Sequence, residues 1–433
     1  FCLRQYGTGT AAGFPDLLRQ FPGASLLLPP AGGSVTEQYR PDFQKKGMVL
    51  DVKKMIDNGV EPNIIKEKVE NNFCTNIFNV YIAMINFLNV TALENIIKTT
   101  YERINQISIS GKASEPMFEF MKLAGSRVKP NVLKTIVSSV QNEISNLTEN
   151  ASKLIAIFAG ICKEDTNLIN FCLKCLSSKK DSEIIKKASS LIGNICLHST
   201  QSHFDLISQL EKLIQSSKDD ELNIILAISI GKIGLSDPSK FTGKYLGTKP
   251  DKLTMYSMRE FIHQTTEKKP LDNNTNNDLF NWLTKSLSNT DREFNDLCCE
   301  CLGNLSGFNK SLVAQYINGF QNRALSISSY FYGLKFIFNK KSKLDGESLD
   351  KLMNILLQGL GSDDLQIKLK AFQSLVTVAH NYTDFVKRYY DKLLEIFNEA
   401  HKINEAWIET VDFGGGMKIK QDKGVGIRNA VYN

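Results

Sequence analysis

The 433-residue sequence predicts an all-α protein, a solenoid of stacked helix pairs with one β-hairpin near its C-terminal end. Three observations carry that prediction. Helical periodicity runs from Met48 onward, and a short Ile/Leu-Gly-x-Ile/Leu phrase returns at regular spacing. The apolar alternation switches to period two between Glu409 and Gln421.

The first 47 residues stand apart. They hold five of the eleven prolines (Pro15, Pro22, Pro29, Pro30, Pro41) and seven glycines, and cannot keep a helical period. Residues 1–47 therefore read as an irregular segment, and residues 48–149 as helical repeats of irregular register. Residues 150–405 form the regular solenoid, and residues 406–433 hold the hairpin and the start of a further domain.

Two kinds of helix alternate in the regular part. Over His203–Ser216, Leu206, Ile207, Leu210, Leu213 and Ile214 make one apolar stripe, as on a helix with one face in solvent. Asp219 and Asp220 suit the head of the next helix by capping and by charge. That helix, Leu222–Ile233, is apolar on nearly every side and must lie buried between neighbours.

The repeat is explicit in Leu191-Ile-Gly193-Asn-Ile195, Ser229-Ile-Gly231-Lys-Ile233 and Cys301-Leu-Gly303-Asn-Leu305. Their glycines are 38 and then 72 residues apart, and helices over Tyr256–His263 and Tyr330–Phe338 fill the intervening period. Glycine inside a helix costs about 1 kcal/mol relative to alanine. Its return at one helical position therefore marks close helix–helix approach. A period near 36–40 with two helices per unit is that of HEAT/armadillo-type repeats.

Composition narrows the function classes. Basic residues number 52 against 46 acidic, a net charge of +6, and the lysines are spread along helices without a concentrated basic footprint for nucleic acid. No apolar run is long enough to span a membrane. Nine cysteines, an odd number set within helical patterns, fit reduced thiols and a cytoplasmic and nuclear location.

Chemistry-bearing motifs are weak. Cys172, Cys175, Cys196 and His198 come nearest to a zinc box, but Cys172 and Cys175 share a stripe with Phe171 and Leu176, as core residues do. Cys298, Cys299 and Cys301 read the same way. Gly7-Thr-Gly9-Thr-Ala-Ala-Gly13 lacks the preceding strand of a dinucleotide loop. None of the five histidines is paired in sequence with a Ser or Cys and a carboxylate. The expectation is a binding protein, not an enzyme, with no catalytic residues, cofactor or metal.

Four stretches together resemble one family. They are Asp219-Asp-Glu-Leu with Ser229-Ile-Gly-Lys-Ile-Gly234; Cys299-Glu-Cys-Leu-Gly-Asn-Leu305; Ala379-His-Asn381 closing a helix after Leu365-Gln-Ile-Lys-Leu-Lys-Ala371; and Val411-Asp-Phe-Gly414 followed by Asp422-Lys-Gly424 and Ile427-Arg-Asn-Ala430. In this order they resemble the C-terminal half of the cullin-associated, neddylation-dissociated proteins, also called TBP-interacting proteins. The resemblance covers about 150–433. It implies a scaffold that wraps an unmodified cullin with its RING partner, blocks attachment of the ubiquitin-like modifier, and promotes exchange of substrate-receptor modules by competing with their adaptors. The chain breaks off in a helix begun at Gly426, where Ile427, Ala430 and Val431 have no second helix to pack on. A fragment of a longer protein is therefore expected.

The hairpin is the candidate site. Thr410-Val-Asp-Phe413 alternates, Gly414-Gly-Gly416 turns, and Met417-Lys-Ile-Lys420 alternates again. This sets Val411 against Ile419, Asp412 against Lys418 and Phe413 against Met417, with one face apolar. The partner-binding residues are expected to be Val411, Phe413, Gly414, Gly415, Gly416, Met417 and Ile419. The resemblance implies that they reach into the adaptor-binding site of the cullin. The family's usual Pro-aromatic pair is replaced in this turn by Gly415-Gly416-Met417, and the turn is one residue longer. Two rival readings are a generic repeat scaffold or nuclear transport receptor-type binding module, and an enzyme with a site of unrecognised pattern.

Overall fold

The computed structural model describes residues 75–105, 114–178, 181–265, 270–287, 291–321, 327–339, 344–412 and 418–432. The Gly/Pro-rich segment and the turn at 413–417 lie outside them. The chain divides into two compact units, Phe1–His203 and Phe204–Asn433.

The first unit runs α1 (75–84), α2 (Val90–Ile104), α3 (Glu115–Gly125), α4 (Pro130–Glu143), α5 (Glu149–Cys162), α6 (Asp165–Ser177) and α7 (Ser182–His198). Helices α3, α5 and α7 pack in a row, with α4 against α5 and α6 against α7. The row is apolar but not purely so: Asn194, fully buried on α7, donates through Nδ2 to Ser152 Oγ of α5 at 2.9 Å. A buried amide has to be matched in this way, and the match fixes how far one helix slides along the next.

In the second unit the pairs are α8 (Leu206–Ser216) with α9 (Asp220–Gly234), α10 (Pro238–Tyr245) with α11 (Lys252–Gln264), and α12 (Asn273–Ser286) with α13 (Arg292–Phe308). They continue as α14 (Lys310–Gln321) with α15 (Ile327–Asn339) and α16 (Gly346–Leu360) with α17 (Leu365–Asn381). Then come α18 (Thr383–Val386), α19 (Tyr390–Ala400), strands β1 (Ile408–Asp412) and β2 (Lys418–Asp422), and α20 (Val425–Tyr432). The second members form a continuous inner row, α9–α11–α13–α15–α17–α20, each packed on the next.

Aspartates punctuate this unit. Asp219 Oδ1 accepts from the backbone N–H of Leu222 at 3.1 Å, and Asp251, Asp272, Asp291, Asp345 and Asp364 cap α11, α12, α13, α16 and α17 in the same way. Each such cap satisfies an orphan N–H at a helix head and is worth about 1 kcal/mol.

The repeated glycines lie where inner helices touch. A β-carbon on Gly231 of α9 would stand 2.2 Å from the carbonyl oxygen of Ser257 on α11, and one on Gly303 of α13 would stand 2.2 Å from that of Gly333 on α15. Close approach is thus the reason for the phrase, and the predicted repeat architecture is the one found. Cys172, Cys196, Cys298, Cys299 and Cys301 are buried within helices, and Cys175 is half-buried.

The end of the chain departs from expectation in one respect. Ile427 on α20 is fully buried, packed where α20 meets α17 and α19, so the last helix does find neighbours. Helix α20 occupies the inner-row position after α17, with α19 as its outer mate. The hairpin is therefore an insertion in the connection between the two helices of one pair.

Candidate functional site

The strands pair antiparallel in the register Ile408↔Asp422, Glu409↔Gln421, Thr410↔Lys420, Val411↔Ile419 and Asp412↔Lys418. This is the register the alternation implies. Val411 is half-buried and Ile419 is 48 % exposed, so the apolar pair faces water. Lower on the same face the character changes. Glu409 forms an ion pair with Lys423 at 2.5 Å, so the apolar surface belongs to the distal part of the hairpin and not to its whole length. Phe413, Gly414, Gly415, Gly416 and Met417 fall outside the described residues.

The base of the hairpin is fastened. Lys423 N–H donates to Trp407 O at 3.0 Å, one pair beyond Ile408↔Asp422. Asp422 receives the Arg428 guanidinium on Oδ2 and the Gly424 N–H on Oδ1 at 2.7 Å. Those bonds, Arg428 first, hold its carboxyl below the usual carboxylate range. Lys368 of α17 places its ammonium 5.4 Å from the centre of the Trp407 ring, a cation–π contact that ties the hairpin's root to the inner row. The sequence phrase Asp422-Lys-Gly424 is thus a turn-and-anchor device: carboxylate, close turn and guanidinium lie within seven positions.

A second feature was not visible from the sequence. The heads of α11, α13, α15 and α17 bound an open groove of about 430 Å³, lined by residues that include Tyr256, Arg259, Arg292, Tyr332 and Lys370. Its walls are crossed by ion pairs between helices. Arg259 Nε donates to the buried Glu300 at 2.7 Å, and Lys252 to Glu293 at 2.5 Å, with Tyr256 Oη also donating to Glu293 at 2.6 Å. Lys370 of α17 passes over the Tyr332 ring of α15, 5.2 Å from its centre, to reach Asp296 of α13. Asp296 also accepts from Ser329 at 2.6 Å.

The electrostatics follow from this placement. Burial works against the charge on Arg259, but the Glu300 carboxylate outweighs it and keeps the guanidinium above its ordinary value. At Lys370 the balance goes the other way, and burial pulls the ammonium below its usual value despite Asp296. Burial raises the Tyr332 hydroxyl, and Glu300 adds to the effect. Partners in each pair stand 33 to 74 residues apart, so no local pattern signals them.

The structure also gathers a serine, a histidine and a carboxylate that sequence proximity does not suggest. Ser199 Oγ donates to the buried Asp165 Oδ2 at 2.6 Å, lies 3.0 Å from His203 Nε2, and accepts the Gln201 N–H at 3.1 Å. In a nucleophile relay the hydroxyl gives its proton to the imidazole. Here it goes to the carboxylate, and the group closes the loop after α7.

No family model matches the chain. Among solved structures it is similar to one described as "Crystal structure of Kap121p bound to Pho4p", at 11 % identity and a TM-score of 0.36, over 86 % of this chain and 45 % of that one. The chain thus spans less than half the length of that structure. Over the described residues, each of its two units contains a stack of HEAT/armadillo-type helix pairs, and these residues are all-α apart from one β-hairpin.

Proposed function

We propose that this chain is a non-enzymatic protein-binding scaffold that engages an unmodified cullin with its RING partner and promotes exchange of substrate-receptor modules. The observation that carries the reading is the hairpin. An apolar pair, Val411 and Ile419, faces water on a two-stranded arm inserted within a helix pair, while the root of that arm is held by Trp407, Lys368 and Arg428. Two-stranded hairpins are marginal alone, and a fastened root reduces the entropy to be lost when the arm docks. The family resemblance of the Val411–Gly414 and Asp422–Ala430 segments supplies the identity of the partner and the competition with adaptors. No cofactor or metal enters this reading.

The test is co-precipitation of a purified cullin–RING complex, unmodified and modified, with the chain, followed by displacement of a labelled adaptor. The unmodified complex should be retained. Val411→Ser/Ile419→Ser and Phe413→Ala variants should each displace adaptor at least about tenfold less, the loss of one buried apolar anchor. Their helical circular dichroism should match the parent's. Failure to retain any cullin would remove the proposal, and recovery of nuclear cargo instead would favour the transport-receptor reading.

A further inference from the structure

We propose that the free edge of β1 is a docking site for an extended segment of the protein partner. That segment joins the hairpin as a third strand, antiparallel to β1, and sets an apolar side chain against Val411. This rests on the reading of the hairpin as a docking arm and specifies how the arm docks.

The backbone phase of the hairpin fixes which groups are free. Lys423 N–H donates to Trp407 O, so in the observed register the doubly hydrogen-bonded positions fall at Glu409↔Gln421 and Val411↔Ile419. Ile408, Thr410 and Asp412 therefore turn their N–H and C=O groups away from β2. Among the described residues, no hydrogen bond from elsewhere in the chain takes up those of Ile408 or Thr410. Glu409 and Thr410 are exposed, so the repeats leave this edge uncovered.

The two edges differ. Strand β2 carries Lys418 and Lys420, and lysine within an edge strand discourages a further strand from pairing. Asp422, at the root of the β2 edge, is engaged by Arg428 of α20. Strand β1, Ile-Glu-Thr-Val-Asp, holds no lysine.

The free groups select the class of ligand. Donors and acceptors recur at every second residue of β1, about 6.8 Å apart, a spacing that another strand matches and a helix does not. In that pairing Val411 takes a non-hydrogen-bonded position, where opposing side chains come closest. An apolar residue there extends the row of Ile419 and Val411 to three strands, the number at which a sheet with an apolar face becomes stable by itself. Lys423 already matches the charge of Glu409, which places no demand on the incoming strand. A five-residue edge buries far less than the roughly 1,200 Å² of a stable interface. The strand therefore belongs to a partner that the repeats also hold, and not to a second copy joined through the edge alone.

The experiment is hydrogen exchange of the full chain, read at single residues by electron-transfer fragmentation. The chain is measured alone at two concentrations and saturated with a purified, unmodified cullin–RING complex. Binding should slow the amides of Ile408, Thr410 and Asp412 by at least about tenfold and leave those of Lys418 and Lys420 unchanged. Thr410→Pro removes an outward N–H without touching the β1–β2 ladder and should weaken retention of the complex by about tenfold. Lys420→Pro, the equivalent change on the other edge, should weaken it by about twofold or less. If the parent retains the complex but the β1 amides stay fast, the protection falls on β2, or the two proline variants behave alike, the strand pairing is overturned and the docking arm stands. If the parent retains no complex, both fall. Protection of the β1 amides in the chain alone, rising with concentration, would make a second copy the occupant and overturn the inference.

Discussion

Gly231 and the carbonyl of Ser257 approach so closely that a β-carbon on the glycine would stand 2.2 Å from the oxygen. That oxygen belongs to a helix backbone and cannot rotate aside, so relief requires moving α11 relative to α9. Gly231→Ala should therefore destabilise by about 1–3 kcal/mol, the usual cost of overpacking. Gly243, exposed on α10 with open space around its β-carbon position, gives the opposite sign: Gly243→Ala should stabilise by roughly 0.5–1 kcal/mol. Urea denaturation of the two variants beside the parent checks both.

Asp296 and Lys370 yield an asymmetric prediction. Lys370 is 7 % exposed and Asp296 25 %, so Asp296→Ala strands an ammonium that water reaches poorly. We expect a loss of about 1–3 kcal/mol, below the range for fully buried pairs because Asp296 is partly wet. Replacing both, as Asp296→Leu/Lys370→Met, should recover most of it. A double mutant as unstable as Asp296→Ala would show that the pair contributes through more than charge.

Alkaline pH should weaken the fold. Burial raises the thiols of Cys172, Cys196, Cys298 and Cys301 and the hydroxyls of Tyr245 and Tyr316 well above their ordinary values. Above about pH 8.5 for thiols and pH 10 for phenols, the unfolded chain releases protons that the folded chain retains. Stability is therefore fully present below those values and falls as pH rises, by up to about 1.4 kcal/mol per pH unit per group. Denaturation midpoints at pH 7.5, 9 and 10 should decline, less steeply in Cys298→Ala.

Trp407 sets the order of the hairpin. Trp407→Ala removes the surface on which Lys368 rests, and the amides of 408–422 should then exchange hydrogen faster while those of α9 keep their protection. Hydrogen-exchange mass spectrometry resolves the two regions. Unchanged exchange over 408–422 would place the anchor elsewhere, in Arg428 and Asp422.

The repeat was legible because its causes are local. The Ile-Gly-Lys-Ile phrase and the all-apolar turn-by-turn pattern of 222–233 each report burial from a handful of adjacent residues. The hairpin's register followed likewise from alternation on both sides of three glycines. The groove was not legible, since Lys370 finds Asp296 across 74 residues and through a third helix. The packing of Ile427 was not legible either. A helix of eight residues gives too little pattern to show which neighbours receive it, and those neighbours, α17 and α19, precede the hairpin.

The hairpin leaves the solenoid at Ile408 and returns at Asp422, two residues that face each other across the ladder. Entry and exit are therefore side by side, so the arm is joined to the stack like a cassette to a slot. Residues could be added or removed at its tip in pairs, each step lengthening or shortening the arm by one rung, without altering the distance α19 and α20 must span. Reach and recognition can change there while the repeats behind remain as they are, which makes this connection the place where the protein can acquire a new partner most cheaply.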